Sequence, residues 1–453
     1  MKAITQKKLL LGLILLCAIQ FIAQWGFNSE EREELSSKGR STQLGKPVVK
    51  NKPAKEMEVI MNDPAMSSAW GIKMTDSQKA WRISQGSKDI KVCVIDTGAD
   101  MNHPDLKNNF WTNPGETGKD KFGRDKATNG VDDDGDGFID DVHGWNFVNN
   151  SNKLDDEHGH GTHIAGIIGA EGGNGIGVVG VSPKVSLVIL KYYDSKGSDV
   201  NNLVNTVKAI DYSVKVGCNI INYSGGGIAP SSEEKAAIER AAKKGILFVA
   251  AAGNERSNSD VRKYYPADYG LPNIISVTAI DRFKQVLQSS NFGEKTVDIA
   301  APGNDIISTL PHGQYGFMTG TSQATAFASG VAALVMANNT ELRTASAVIK
   351  YLTQTGDDDE KLAGKTRWRK RLNSYKALAI QDSDLAVSGV RIDQAQNFDK
   401  NAFASPTSEG LDSDSETESS ETKITAFGRK ISNHLGVKTV PALIHGSPEA
   451  AND

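Results

Sequence analysis

The chain has 453 residues, with 51 Lys and Arg against 55 Asp and Glu and a net charge of −4. That leaves room for one large domain with appendages, and the balance gives no electrostatic footprint for nucleic acid. Three cysteines are sparse, while 44 glycines suit close helix–sheet packing and many tight loops.

Lys2, Lys7 and Lys8 precede an apolar stretch from Leu9 to about Ala23. A positive segment followed by an apolar one predicts export. Gln20 and Gln24 interrupt the run and no small-x-small cleavage site follows, so residues 1–27 read as a signal peptide or an N-terminal anchor. An anchor would attach the protein to a membrane. Residues 28–61, with Glu30-Glu31-Arg32-Glu33-Glu34, are too charged to build a core. They form a short pro-segment or a linker.

From residue 62 to about 380 the pattern alternates. Strands are predicted at Lys91–Ile95, Val185–Lys191, Asn219–Tyr223, Leu247–Ala251 and Ile274–Ala279. Helices are predicted at Thr162–Gly169, Val200–Val216, Ser232–Lys244 and Ser322–Ala337, with a further helical region from Leu342 to about Leu378. Apolar strands alternating with helices predict a mostly parallel sheet covered on both faces. Residues 381–453 form a polar, acidic tail, and Ser405–Thr422 carries the composition of disorder. Cys93 and Cys218 fall at predicted buried strands and are expected to be free thiols packed as small hydrophobes. An exported protein also permits a disulfide there.

Three residues carry the chemistry. Asp96 closes an apolar strand, at the carboxyl edge where open α/β sheets place their sites. His160 opens the second small-residue helix, in His160-Gly161-Thr162-His163. Ser322 opens the helix of Gly320-Thr321-Ser322-Gln323-Ala324, where free N–H groups and the helix dipole favour negative charge. Each residue alone reads as a cap or a surface loop side chain. Together, in the order Asp, His, Ser, they match one of the known arrangements of a nucleophile, its base and the base's partner.

The chain resembles the subtilisin-like serine proteases, in bacterial style. The matching text is Asp96-Thr97-Gly98, His160-Gly161-Thr162-His163, Ala251-Ala252-Gly253-Asn254 and Gly320-Thr321-Ser322. Smaller matches lie between them, including His103-Pro104-Asp105-Leu106 and Ala300-Ala301-Pro302-Gly303. The resemblance implies an α/β, three-layer subtilisin-like fold with a mostly parallel central sheet and helices on both faces. It implies a monomeric serine endopeptidase acting on polypeptides, with Asp96, His160 and Ser322 as triad and Asn254 as oxyanion donor. His163 is then a packed structural residue, and His158 is expected at the surface. Ser224, Gly225 and Gly226 would bind the substrate backbone, with Ala252 and Gly253 in the opposite wall of the primary pocket. Gly225 replaces a larger apolar residue common in the family, which predicts a roomier subsite. Gln323 and Ala326 stand where many relatives have Met and Pro. A catalytically silent binding or adhesion module is the alternative.

Two stretches suggest structural Ca²⁺. Asp132, Asp134 and Asp136 alternate, Gly137 permits a sharp turn and Asp140 stands ninth, which copies the start of a calcium loop. His143 at the twelfth position means that it is no full EF-hand. The second site comes from the resemblance alone: Asp105 and Asn174 side chains with the carbonyls of Gly172, Ile176 and Val178.

Overall fold

The computed structural model describes residues 61–195 and 198–380, together with Lys438–Thr439. The predicted signal or anchor, the linker and nearly all of the acidic tail lie outside the described residues. Among the described residues, no helix is long and apolar enough to cross a membrane.

Two short helices, α1 (Trp70–Met74) and α2 (Ser77–Ala80), lead into β1 (Gly86–Asp96). There follow β2 (Gly144–Asn146), α3 (His160–Gly169), β3 (Lys184–Lys191), α4 (Asp199–Lys215), β4 (Ile220–Tyr223) and α5 (Ser232–Lys243). Next come β5 (Leu247–Ala251), β6 (Ile274–Ile280), β7 (Ile299–Pro302), and a hairpin of β8 (Ile306–Leu310) and β9 (Gln314–Met318). The long helix α6 (Thr321–Asn338) and α7 (Ala345–Thr355) then pack, and β10 (Asp357–Asp358), β11 (Lys370–Arg371) and α8 (Ser374–Ala379) finish the domain. Lys438–Thr439 form β12, antiparallel to β9. The expected helical closure from Leu342 to Leu378 is therefore corrected. Two helices flank a small antiparallel pair there, Asp357 with Arg371 and Asp358 with Lys370.

The main sheet runs β10-β11-β7-β6-β5-β4-β1-β3-β2 and is parallel except for β10. It grows outward from β1 in both directions, so β1 and β4 flank the point where strand order reverses. Successive strand side chains face opposite ways. Ile90, Val92 and Val94 join the core that contains α3, α6 and α7. Cys93 and Ile95 join the opposite core with α4 and α5. The same period carries Asp96 to the α3 and α6 side.

Helix α6 is buried from Thr321 to Met336 and lies against β1, β4, β5, β6 and β7. A helix apolar all round suits such a position, and small residues let it approach its neighbours. A Cβ on Gly330 would stand 2.6 Å from Val181 Cβ.

Cys93 and Cys218 are joined by a disulfide, with Cα atoms 6.0 Å apart. The expectation of free thiols is corrected. The sequence separation of 125 residues gave no sign that the parallel pairing of β1 with β4 brings the two together. Closing so long a loop restricts the unfolded chain, with a typical effect of about 2–5 kcal/mol on removal. Alkylation in denaturant without reductant should leave Cys93 and Cys218 unmodified and their peptides linked. The double variant Cys93→Ala/Cys218→Ala should melt about 5–15 °C lower by calorimetry.

Candidate active site

The carboxyl ends of the adjacent strands β1, β4 and β5 meet at one edge. Asp96 ends β1, Ser224 follows β4 and Asn254 follows β5. The N-termini of α3 and α6 arrive at the same place.

Asp96 is 3% exposed. Its Oδ1 accepts from His160 Nδ1 at 2.7 Å and from Thr97 N–H at 2.8 Å. This close docking of helix on strand depends on glycine. A Cβ on Gly161 would stand 2.1 Å from Gly98 O, and one on Gly98 would stand 2.4 Å from Leu154 O. Burial pushes the His160 imidazole down, but the Asp96 charge and hydrogen bond outweigh it and leave the group above the ordinary histidine value. With Nδ1 held as a donor, Nε2 is the proton-accepting atom of the neutral ring. Nε2 is buried and has no hydrogen-bond partner among the described residues.

Ser322 is the second residue of α6 and is 4% exposed. Its hydroxyl donates to Ser224 O at 3.2 Å, not to His160. Ser224 Oγ returns a bond to Ser322 O at 3.4 Å and accepts from Asn222 Nδ2 at 3.1 Å. Asn222, on β4, accepts from Ser329 Oγ about two turns along α6 from Ser322, at 2.8 Å. The loop after β4 is thus tied to the serine helix at two levels. Asn254 Oδ1 accepts from Thr321 N–H at 3.0 Å and Thr321 Oγ1 at 3.2 Å. That anchor fixes the amide orientation and leaves Nδ2 as the donor beside the start of α6. Gln323 is fully buried with neither amide atom paired among the described residues.

His163 is buried as expected and is no part of this group. Nε2–H donates to Ile306 O at 3.0 Å and Gly316 O at 3.2 Å, tying α3 to the β8–β9 hairpin. Burial pushes it down to about 3, so it is neutral. His158 is half-buried rather than surface-lying, with its ring 6.3 Å from that of His160.

The expected open subsite at Gly225 is corrected. A Cβ there would stand 2.4 Å from Tyr192 Oη and 2.9 Å from Tyr223 Cζ, so two buried tyrosines already fill the space. Gly226 is equally confined, by Tyr264 and Tyr265 O. Ala252 and Gly253 are buried, and Asn291 Nδ2 holds Ala252 O at 2.8 Å.

Two acidic clusters lie away from this edge. Asp132, Asp134 and Asp136 bring one oxygen each within 4.8 Å of one another. Asp132 caps the turn by accepting from the N–H groups of Gly135, Asp136 and Gly137. Asp140 does not join them. Both its oxygens face Gly130 N–H at 3.2 Å, because Asp140 sits in the left-handed region and turns away. Asp134 belongs also to a second group with Glu116 and Asp141, two residues that sequence spacing did not reveal. Glu116 Oε1 accepts from Asp133 and Asp134 N–H, while Oε2 is buried and unpartnered among the described residues. Asp141 is fully buried, and burial pushes it up to about 7.

At the other suggested calcium position, Asp105 is fully buried and pushed up by burial to about 6. It accepts from Asn174 Nδ2 at 2.7 Å, Val178 N–H at 2.9 Å and Tyr315 Oη at 3.1 Å. Asn174 therefore presents its amide nitrogen, and its Oδ1 accepts from Ile176 N–H. Gly172 and Ile176 lie on the same loop. Asp63 accepts from Gly173 N–H through both oxygens at 3.0 Å.

A family model described as the subtilase family matches residues 87–371. The chain is 33% identical over 354 residues to subtilisin-like protease 1 of Plasmodium berghei, covering 73% of this chain and 57% of that protein. It is 33% identical to a thermophilic serine proteinase of a Bacillus species, covering 68% of this chain and 66% of that one. Thermitase of Thermoactinomyces vulgaris is 34% identical over 320 residues, which is 70% of this chain and 98% of thermitase. The chain thus spans little more than half of the first relative and nearly all of the last. The match covers both the sheet and the edge where Asp96, His160 and Ser322 lie: the chain belongs to the subtilase family.

Proposed function

We propose that the protein is a serine endopeptidase with Ser322 as nucleophile, His160 as general base and Asp96 as the group that orients it. The observation that carries the reading is the buried 2.7 Å pair of Asp96 and His160, at the edge where α6 begins with Ser322. In this reading His160 Nε2 takes the hydroxyl proton as Ser322 Oγ adds to the scissile carbonyl. Asp96 holds the tautomer and stabilises the imidazolium. The oxyanion accepts from Ser322 N–H and Asn254 Nδ2, aided by the free N–H groups of α6. The imidazolium then protonates the leaving amine, and water repeats the sequence on the acyl-enzyme.

In this reading the Ser322 hydroxyl leaves Ser224 O for Nε2. Such contacts are often loose before substrate arrives. The hydroxyl's present partner is the one observation that favours the silent binding module. In this reading Ser224–Gly226 would pair with an extended peptide backbone, against Ala252 and Gly253, and a polypeptide is the substrate class. The buried disulfide suits export to an oxidising compartment.

Calcium fits the acidic loop. Oxygen donors at short range repel one another unless a cation neutralises them. Asp132, Asp134 and Asp136 would hold one ion, and the orphaned Oε2 of Glu116 with Asp134 and Asp141 marks a donor set for another. Asp105, Asp63 and Asn174 offer a third set, with Asn174 needing an amide turn to present oxygen. The role is structural: the ion would hold the loops in place.

A fluorophosphonate probe should label Ser322 in the wild type, and labelling should vanish in Ser322→Ala and His160→Ala. Asn254→Ala should lower kcat by about 10²–10³ with modest change in KM. A folded wild type that takes no label would favour the silent module. The acid limb of kcat/KM should fall as pH drops through a value above about 6.5, since His160 must be neutral and lies above the ordinary value. A limb below 6 would count against the Asp96 pairing. Chelation should lower the melting temperature by about 5–10 °C relative to a 100-fold excess of calcium over its dissociation constant. Asp134→Ala should remove most of that difference. An unchanged melting curve in chelator would sink the calcium reading.

A further inference from the structure

We propose that Asp156 is a positioning residue for His160, which clamps the end of β1 to the start of α3 and places a second negative charge behind the imidazole. The proposal rests on the endopeptidase reading. Asp156 is 6% exposed and its carboxylate accepts five hydrogen bonds. Oδ1 accepts from His158 N–H at 3.1 Å, Gly159 N–H at 2.8 Å and Thr97 Oγ1 at 2.8 Å. Oδ2 accepts from Thr162 N–H at 2.9 Å and Thr162 Oγ1 at 2.6 Å.

These partners surround the Asp96–His160 pair. Thr97 directly follows Asp96, and its Oγ1 also accepts from Gly161 N–H at 2.9 Å, directly after His160. Thr162 Oγ1 accepts in turn from Asp100 N–H at 3.0 Å, beyond the end of β1. Asp156 thus closes a ring of bonds that crosses from strand to helix on both sides of the pair. The need is local. The residue before α3 is Gly159, in the left-handed region, and it has no side chain to cap the helix. Asp156 supplies the cap from three residues upstream, where a carboxylate also complements the helix dipole.

The charge has its own consequence. Burial alone would push Asp156 up, but the Thr162, Gly159 and Thr97 bonds hold it below the ordinary carboxylate range. The remaining groups facing His160 are Asp96 on β1, the half-buried His158 on the loop and the neutral His163 on α3. Lys191, at the end of β3, is occupied by Asp155 O and the Glu157 carboxylate. An ionised Asp156 therefore joins Asp96 in favouring imidazolium. Asp156 touches no reacting atom and acts through His160.

Two variants of the full chain separate the clamp from the charge. Asp156→Asn loses the charge and sets an amide against some of the five donors. Thr97→Val keeps the charge and removes one brace. Active-site concentration is titrated with the fluorophosphonate probe, and kcat and kcat/KM are followed against pH on a peptide substrate. In parallel, the His160 ring is titrated by NMR in Ser322→Ala, with and without Asp156→Asn. Expected for Asp156→Asn are about a tenfold loss of kcat and an acid limb and ring pKa lower by about 0.5 unit. Thr97→Val should lose kcat several-fold with its limb unmoved. Asp156→Asn with kcat within twofold of wild type and an unmoved ring pKa would overturn the proposal. If that variant does not fold, Thr97→Val with kcat within twofold overturns it. A wild type that takes no probe refutes the endopeptidase reading instead, and the ring titration still decides the effect of Asp156.

Discussion

A hydrogen bond between two buried side chains, Asp96 and His160, sets what the rest of the structure has to accomplish. A carboxylate and an imidazole withdrawn from water are costly unless each is satisfied. The pair forms only if a helix terminus comes into near contact with a strand end. Gly161 permits that approach, since a Cβ there would overlap Gly98 O, and Gly98 lets the 154–155 loop pack against the strand end. The period-2 alternation of β1 then decides which face Asp96 takes. Val94 and Asp96 look toward α3 and α6, while Cys93 and Ile95 look toward α4 and α5. The disulfide of Cys93 sits on the far face of the same strand, so β1 is held from both sides.

The second constraint is the burial of α6. It threads the core beneath five strands, and its first turn bears Ser322. A wholly buried helix has few ways to shift, because interiors are close-packed. Asn222 with Ser329, Ser224 with Ser322, and Asn254 with Thr321 fasten it to the ends of β4 and β5. The serine is thus placed by packing along the helix and by polar bonds at its start. The hydroxyl alone keeps rotational freedom, and it is the hydroxyl that has to change partner during a reaction.

Much of this was legible in the sequence because it depends on local patterns. Apolar strands, small-residue helices and the residues at their ends mark β1, α3 and α6 to within a few residues. What the pattern missed is set by distance in space. Cys93 and Cys218 meet only because β4 returns beside β1. Asp63 meets Gly173, 110 residues along the chain, and Glu116 meets Asp133 and Asp134, 17 and 18 residues along. The Gly225 space is closed by Tyr192 and Tyr223, which no local window reveals. Asp140 fits a ligand spacing, yet its own left-handed backbone turns it toward Gly130. Strands β7, β8 and β9 give no strand pattern in the sequence, since short runs broken by Gly, Pro and His look like loops.

The buried carboxylates also differ in kind, and donor count explains how. Asp156 has five donors, and its charge is fully compensated by the protein. It needs nothing else, and it stays ionised beneath the histidine helix. Asp141 has two, Asn113 Nδ2 and Tyr212 Oη, and burial dominates. Glu116 has donors on one oxygen and, among the described residues, none on the other. An acceptor left bare in a protein interior is expensive, and evolution rarely leaves one without a use. Where donors are complete, a carboxylate braces the fold. Where they fall short beside other carboxylates, the set suits the proposed cation. The same physical rule thus separates Asp156, braced by the protein around the start of the His160 helix, from Glu116, Asp134 and Asp141, whose oxygens cluster with fewer donors.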